Sequence, residues 1–126
     1  MYDHEILLDL FQKLQDAVNS IQIRFQSINS VYDLTDSPTG AERLDLLCMP
    51  LIVIGELVKK IDKITNHSLL KEYPEIPWVE IKGMRNIVVH DYFNIDALEI
   101  FNTCKEDIPL LSKTIDLIIS DLKTGE

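Results

Sequence analysis

Residues 41–64 read AERLDLLCMPLIVIGELVKKIDKI. Within them Leu44, Leu47, Leu51, Ile54, Val58 and Ile61 are spaced 3-4-3-4-3. Because an α-helix makes a turn every 3.6 residues, this spacing draws one apolar seam along one side, the form needed to pack on another helix. Pro50 interrupts the seam. It offers no N–H to the carbonyl four residues back and crowds the preceding turn, which predicts a kink. Gly55 is a point where a neighbouring helix can approach closely, although it weakens the helix itself.

The same pattern extends outward from this seam. Residues 5–31 carry Leu7, Leu10, Leu14, Ala17, Ile21, Phe25, Ile28 and Val31, one stripe on a long first helix. Residues 33–40 (DLTDSPTG) are a turn cluster. Thr39 and Glu42 then have capping-box form, opening the second helix near Ala41. The stretch 65–77 (TNHSLLKEYPEIP) is a connection with two prolines, and Pro77 suits the first turn of a third helix. That helix carries Trp78, Ile81, Met84 and Val88 inward and reaches about Asp91. Asp96 has the look of a cap for a short fourth helix. Residues 107–109 mark a new start, and Leu111, Ile115, Ile118 and Leu122 stripe the last helix. The expected fold is all-α: an antiparallel bundle of four or five helices forming one domain over residues 1–126.

Composition limits the function classes. A hydrophobic content of 46% fills one core in 126 residues, and the apolar residues come in spaced sets rather than a membrane-length block. The acidic start MYDHE has no basic leader, so a cytoplasmic protein with no membrane role is expected. Cys48 and Cys104 read as reduced core residues, and no metal or cofactor set is seen. A net charge of −9 argues against a surface coated for nucleic acid. Any such site has to be local or shared between two chains, and a basic protein partner fits the charge equally.

The chemistry lies in residues 74–94, PEIPWVEIKGMRNIVVHDYFN, which hold Arg85, Asn86, His90 and Tyr92 within eight positions. Together with Ile54-Gly55-Glu56, the Pro77-Trp78 pair and the Gly83-Met84-Arg85-Asn86 run, this stretch resembles the HepT-like branch of the HEPN superfamily over nearly the whole chain. The resemblance implies a dimeric helical bundle with an R-x4-6-H motif near the dimer interface. It also implies metal-independent endoribonuclease activity, as a toxin neutralised by a minimal nucleotidyltransferase antitoxin. The motif maps onto Arg85 and His90, with Asn86 at the polar position after the arginine. The extended form, R-x4-H-x-Y, makes Tyr92 the acceptor of AMP from the antitoxin. Glu56, Lys82 and Asp91 are supporting or RNA-contact candidates.

Helical geometry adds a constraint. At about 100° per residue, five steps set Arg85 and His90 about 140° apart, so they do not share a face. Asn86 and His90 do, as do Arg85 and Tyr92. A bend near His90, or a second protomer, is needed to bring imidazole and guanidinium together. Histidine can act as base or acid near neutral pH, and arginine offers a permanently charged fork to phosphate.

Plainer readings stand beside these. His90 could cap a helix C-terminus, and Arg85 could pair with Glu56 or Glu80. Tyr92 could be a core-edge residue, Trp78 a core residue, and His4 and His67 surface histidines. Lys59, Lys60 and Lys63 are either a solvated helix face or a local attraction for RNA. The rival function is a non-catalytic HEPN module for dimerisation, or for nucleotide or partner binding.

Overall fold

The computed structural model describes residues 3–90 and 92–125, and every regular element among them is helical. Asp91, one of the candidate support positions, lies outside the described residues.

Helix α1 (His4–Phe25) starts on Asp3, whose carboxylate accepts from the amides of Glu5 and Ile6. The stripe predicted through Val31 outlasts the helix, which stops at Phe25. The Asp33 carboxylate captures the amides of Asn29 (2.7 Å) and Ser30 (3.2 Å), giving the backbone an alternative to further helical bonds. Ile28 is nevertheless buried. Inside the expected turn cluster a short helix, α2 (Tyr32–Thr35), buries Leu34.

Helix α3 (Pro38–Ile64) begins three residues before the expected start. Ser37, not Thr39, is its cap, accepting from the Gly40 amide at 3.0 Å. Pro38 follows in the first turn, where a missing N–H costs nothing. The seam is as expected: Leu47, Leu51, Ile54, Val58 and Ile61 are buried, and Leu44 packs at its edge. Pro50 cannot donate to the Leu46 carbonyl, and the Arg24 guanidinium of α1 takes that oxygen at 2.6 Å. The defect in one helix is thus satisfied by its neighbour.

Helix α4 (Trp78–His90) buries Ile81, Met84 and Val88. The Pro77 carbonyl accepts from the Ile81 amide at 3.0 Å, so the proline sits just ahead of the first turn. Helix α5 (Ala97–Asn102) is capped by Asp96 as expected. It does not end before the last helix, however. A π turn over Thr103–Asp107 joins it to α6 (Ile108–Thr124), and the Asp107 side chain makes no cap. The wide turn absorbs the donor missing at Pro109, so the chain bends without breaking. Leu111, Ile115, Ile118 and Leu122 are buried along α6.

The bundle is built around α3, which packs against both α1 and α4, while α1 also packs against α6. Gln15 ties α1 to α6 through Asp116 (2.6 Å) and the Ser112 carbonyl (3.1 Å). Tyr73 ties the 65–77 connection to Asp121 at 2.6 Å. Cys48 and Cys104 are free and buried. Burial pushes their thiols up to about 11 and about 12, leaving them protonated and inert. No helix among the described residues is long and apolar enough to cross a membrane.

Candidate active site

The pairing of α3 with α4 positions Glu56, Lys82, Arg85 and Asn86. Three side-chain bonds step along it: Lys82 to Asp62, Arg85 to Glu56, and Tyr92 to Asp45. The numbers rise on one side as they fall on the other, so the helices are antiparallel. Gly55 sets their separation at the centre. A Cβ there would lie 3.1 Å from both the Arg85 backbone nitrogen and its Cβ, and 3.3 Å from the Ile81 carbonyl oxygen.

This close approach brings Arg85 against Glu56, with Nε 2.9 Å from Oε1. The Asn86 side-chain oxygen Oδ1 accepts from Arg85 Nη1 at 3.2 Å. A surface pair of this kind contributes little to stability. Its effect is orientation: Glu56 and Asn86 hold the plane of the guanidinium while other N–H donors of its five stay available. The group opens on a cleft of about 290 Å³, whose charged wall is Glu56, Lys59, Lys82 and Arg85. The Glu56 pairing anticipated for Arg85 therefore exists, and it leaves the arginine part-exposed.

His90 ends α4 and is exposed, and among the described residues no group hydrogen-bonds its ring. Helix α4 runs unbroken through His90. No bend brings the imidazole round to Arg85, and His90 is absent from the lining of the Arg85 cleft. Arg85, Asn86, Glu56 and Lys82 gather at one place; His90 and Tyr92 stand farther along, towards the end of α4.

Tyr92 follows in a short 3₁₀ turn (Tyr92–Asn94). Its hydroxyl donates to Asp45, a hydrogen bond that raises the phenol pKa, aided by desolvation and the Asp45 charge. Its ring meets Phe93 edge-on, with centroids 5.7 Å apart, and Phe93 is 97% exposed. An apolar groove of about 430 Å³ lies beside Tyr92, floored by Met49, Ile52, Val88 and Val89.

Two residues gained roles that the sequence did not suggest. Asp45 lies off the apolar seam and meets Tyr92 only through the α3–α4 register. His67, read as a plain surface histidine, has Nδ1 2.7 Å from Oδ2 of the buried Asp62. The same oxygen accepts from Lys82 Nζ at 3.0 Å. Lys82 is thus an ion-pair partner first and a wall of the cleft second. Lys59, Lys60 and Lys63 are exposed, as a solvated face would be. Among the described residues no three histidine, cysteine or acidic side chains gather as a metal-ion ligand set.

Burial alone would raise the Asp62 pKa, but the hydrogen bonds and charges of His67 and Lys82 outweigh it and hold the carboxyl below its ordinary value. A depressed carboxyl pKa contributes stability above the unfolded value of about 3.9 and loses it as pH falls through the folded value. Asp62→Asn should therefore cost about 1 kcal/mol near neutrality, a figure kept small because both partners are part-exposed. In denaturant titrations the difference from wild type should vanish as pH drops below about 4. A gap that persists at pH 2 would mean that packing, not charge, carries it.

The sequence pattern of the family described as "Ribonuclease HepT-like" matches residues 14–118. The chain is 42% identical over 117 residues to "Putative RNase MJ1216" of Methanocaldococcus jannaschii, covering 93% of this chain and 87% of that protein. It is 44% identical over 73 residues to "Putative RNase MJ0125" of the same organism, covering 58% of this chain and 60% of that protein. It is 41% identical over 61 residues to "Probable ribonuclease HepT" of Thermococcus cleftensis, covering 48% of this chain and 52% of that protein. No solved structure matches the chain. A helical bundle carrying its Arg85 and His90 on α4, matched by this pattern over most of its length, belongs to the HepT-like ribonuclease family.

Proposed function

We propose that this protein is a metal-independent endoribonuclease that works as a cytoplasmic homodimer. The observation that carries the reading is the Arg85 guanidinium, held in plane by Glu56 and Asn86 over an open cleft. A fixed, charged fork of this kind suits the trigonal-bipyramidal phosphorane formed when a 2′-hydroxyl attacks its neighbouring phosphate. His90, exposed and without a partner among the described residues, supplies the proton transfer. One histidine takes the 2′-hydroxyl proton and another protonates the departing 5′-oxygen, so two copies of the chain supply the base and the acid. The products are a 2′,3′-cyclic phosphate and a 5′-hydroxyl. The unbroken α4 supports sharing between copies, because one chain does not turn its own His90 toward its own Arg85. Exposed Met49, Val53, Val89 and Phe93 on α3 and at the end of α4 offer apolar surface for the second copy.

In this reading the enzyme is a toxin, and a nucleotidyltransferase antitoxin silences it by adding AMP to Tyr92. The phenol is 46% exposed, and esterifying its oxygen removes the hydrogen now donated to Asp45. The rival reading, a non-catalytic dimerisation or partner-binding module, draws on a different observation: Arg85 and Lys82 are both paired with carboxylates in a chain of net charge −9.

The purified protein incubated with total RNA and EDTA separates the two. Cleavage that survives chelation and leaves cyclic-phosphate ends is the expected result. Absence of cleavage by protein whose intact mass shows no added AMP would favour the module. A mass increment of one AMP on Tyr92 after co-expression with a minimal nucleotidyltransferase would identify the silencing step.

A further inference from the structure

At the far end of the α3–α4 pair from Tyr92 lies a second concave site. Helix α3 ends at Ile64, and the chain turns back through Asn66 and His67, both at positive φ (53° and 61°). Asparagine tolerates this left-handed region, and so, better than most residues, does histidine. Asp62 holds it twice: its carbonyl accepts from the His67 amide at 2.8 Å, and its carboxylate lies 2.7 Å from Nδ1. The carboxylate can only accept, so Nδ1 carries the hydrogen and the ring's other nitrogen is left for a ligand. The imidazole itself is 68% exposed.

The space in front of this dyad is a pocket of about 400 Å³. Lys71 and Lys82 supply its cations, Asp62 and Glu80 its carboxylates, His67 an exposed imidazole, and Trp78 with Pro77 its apolar side. The Trp78 indole is fixed, because its Nε1 donates to the Tyr73 carbonyl at 2.9 Å. The pocket adjoins the Arg85 cleft, since Val79 and Lys82 line both. From Arg85 to Lys82 is less than one turn of α4, a rise of about 4.5 Å. A chain of phosphates passing Arg85 would meet Lys82 and then enter this pocket.

We propose that the pocket is a subsite for a nucleotide flanking the scissile phosphodiester of single-stranded RNA. Its base lies against Trp78 and Pro77, its phosphate meets Lys71, a ribose hydroxyl donates to the free ring nitrogen of His67, and Asp62 positions the imidazole. An aromatic face beside cations is the arrangement that binds single strands without reading their sequence. It also answers the acidity of the chain, because attraction is confined to one track along α4. The inference rests on the ribonuclease reading and extends its substrate contacts beyond the reacting phosphate.

The test compares the gain in kcat/KM between a dinucleotide and a 12-nucleotide single strand. His67→Asn keeps a residue suited to positive φ, and Lys71→Gln alters an exposed side chain outside the dyad. Each should shrink the length-dependent gain by about 5- to 10-fold, the loss expected of one hydrogen bond to ribose or one phosphate contact. Lys71→Gln should also lower the slope of log affinity against log salt by about 1. Lys123→Gln, which removes the same charge from α6, should leave the gain as in wild type. If both pocket variants keep the full gain, or lower both substrates equally, the pocket is only a lock for the end of α3 and the proposal fails. If wild type cleaves neither substrate, the ribonuclease reading fails on its own, and fluorescence anisotropy with the 12-mer decides the pocket. Weaker binding by both variants supports it; unchanged binding, or none by wild type, overturns it.

Discussion

His90→Ala should lower kcat for RNA cleavage by about 10²- to 10⁴-fold, the usual contribution of a positioned proton-transfer group. It leaves the melting temperature within about 2° of wild type, because exposed substitutions away from packing and pairing cost little. His90 is exposed, and no described residue hydrogen-bonds its ring, so the protein loses chemistry without losing structure. Arg85→Lys should fall by about 10²- to 10³-fold. Its ammonium keeps the charge but cannot bond Glu56 and Asn86 while presenting a planar fork to phosphate. Mixing the two inactive variants carries the informative outcome. Because the proposed site uses His90 of both copies as base and acid, mixed dimers hold only one imidazole and should stay inactive. Partial recovery in confirmed mixed dimers would show instead that a single His90, set beside the Arg85 of the other copy, completes a site. Full activity of His90→Ala alone would remove the imidazole from the reaction.

Gly55→Val should be the most disruptive single change at the α3–α4 contact. Its Cβ would fall 3.1 Å from backbone and Cβ atoms of Arg85, and neither can swing aside as the tip of a flexible side chain would. The helices must separate, at a cost near the upper end of the usual 1–3 kcal/mol for overpacking, about 3 kcal/mol. Arg85 moves with the backbone that carries it, so cleavage should fall even at temperatures where the variant stays folded. Gly55→Ala is milder, because alanine recovers about 1 kcal/mol of helix propensity. Gly83 provides the contrast: it lies on α4 with nothing within 4 Å of where its Cβ would be. Gly83→Ala should therefore stabilise by about 0.4–1 kcal/mol. Denaturant midpoints for the three variants check the order. A Gly55→Val protein as stable and active as wild type would show that the close approach does not position Arg85.

The helices were legible because burial repeats with the period of the α-helix. The seam from Leu47 to Ile61 and the stripe from Leu111 to Leu122 can be read without a partner, since each residue states its side by its spacing. Helix ends were less legible. The first helix stops short because Asp33 reaches back to Asn29 and Ser30, and the last break never opens because a π turn absorbs Pro109. Both are local hydrogen-bond choices that apolar periodicity does not encode.

What the sequence determined by itself was the all-helical bundle, the burial of its stripes, and the presence of arginine, asparagine, histidine and tyrosine on and just after one helix. Only the tertiary structure decided which groups meet. The antiparallel register of α3 and α4 gives Arg85 to Glu56, Tyr92 to Asp45 and Lys82 to Asp62, and the turn after α3 returns His67 to that same carboxylate. Periodicity tells a residue which side of its own helix it occupies. How far one helix slides along another is set by side chains and glycines on both, so a pairing such as Asp45 with Tyr92, 47 residues apart, exists only once the bundle has packed.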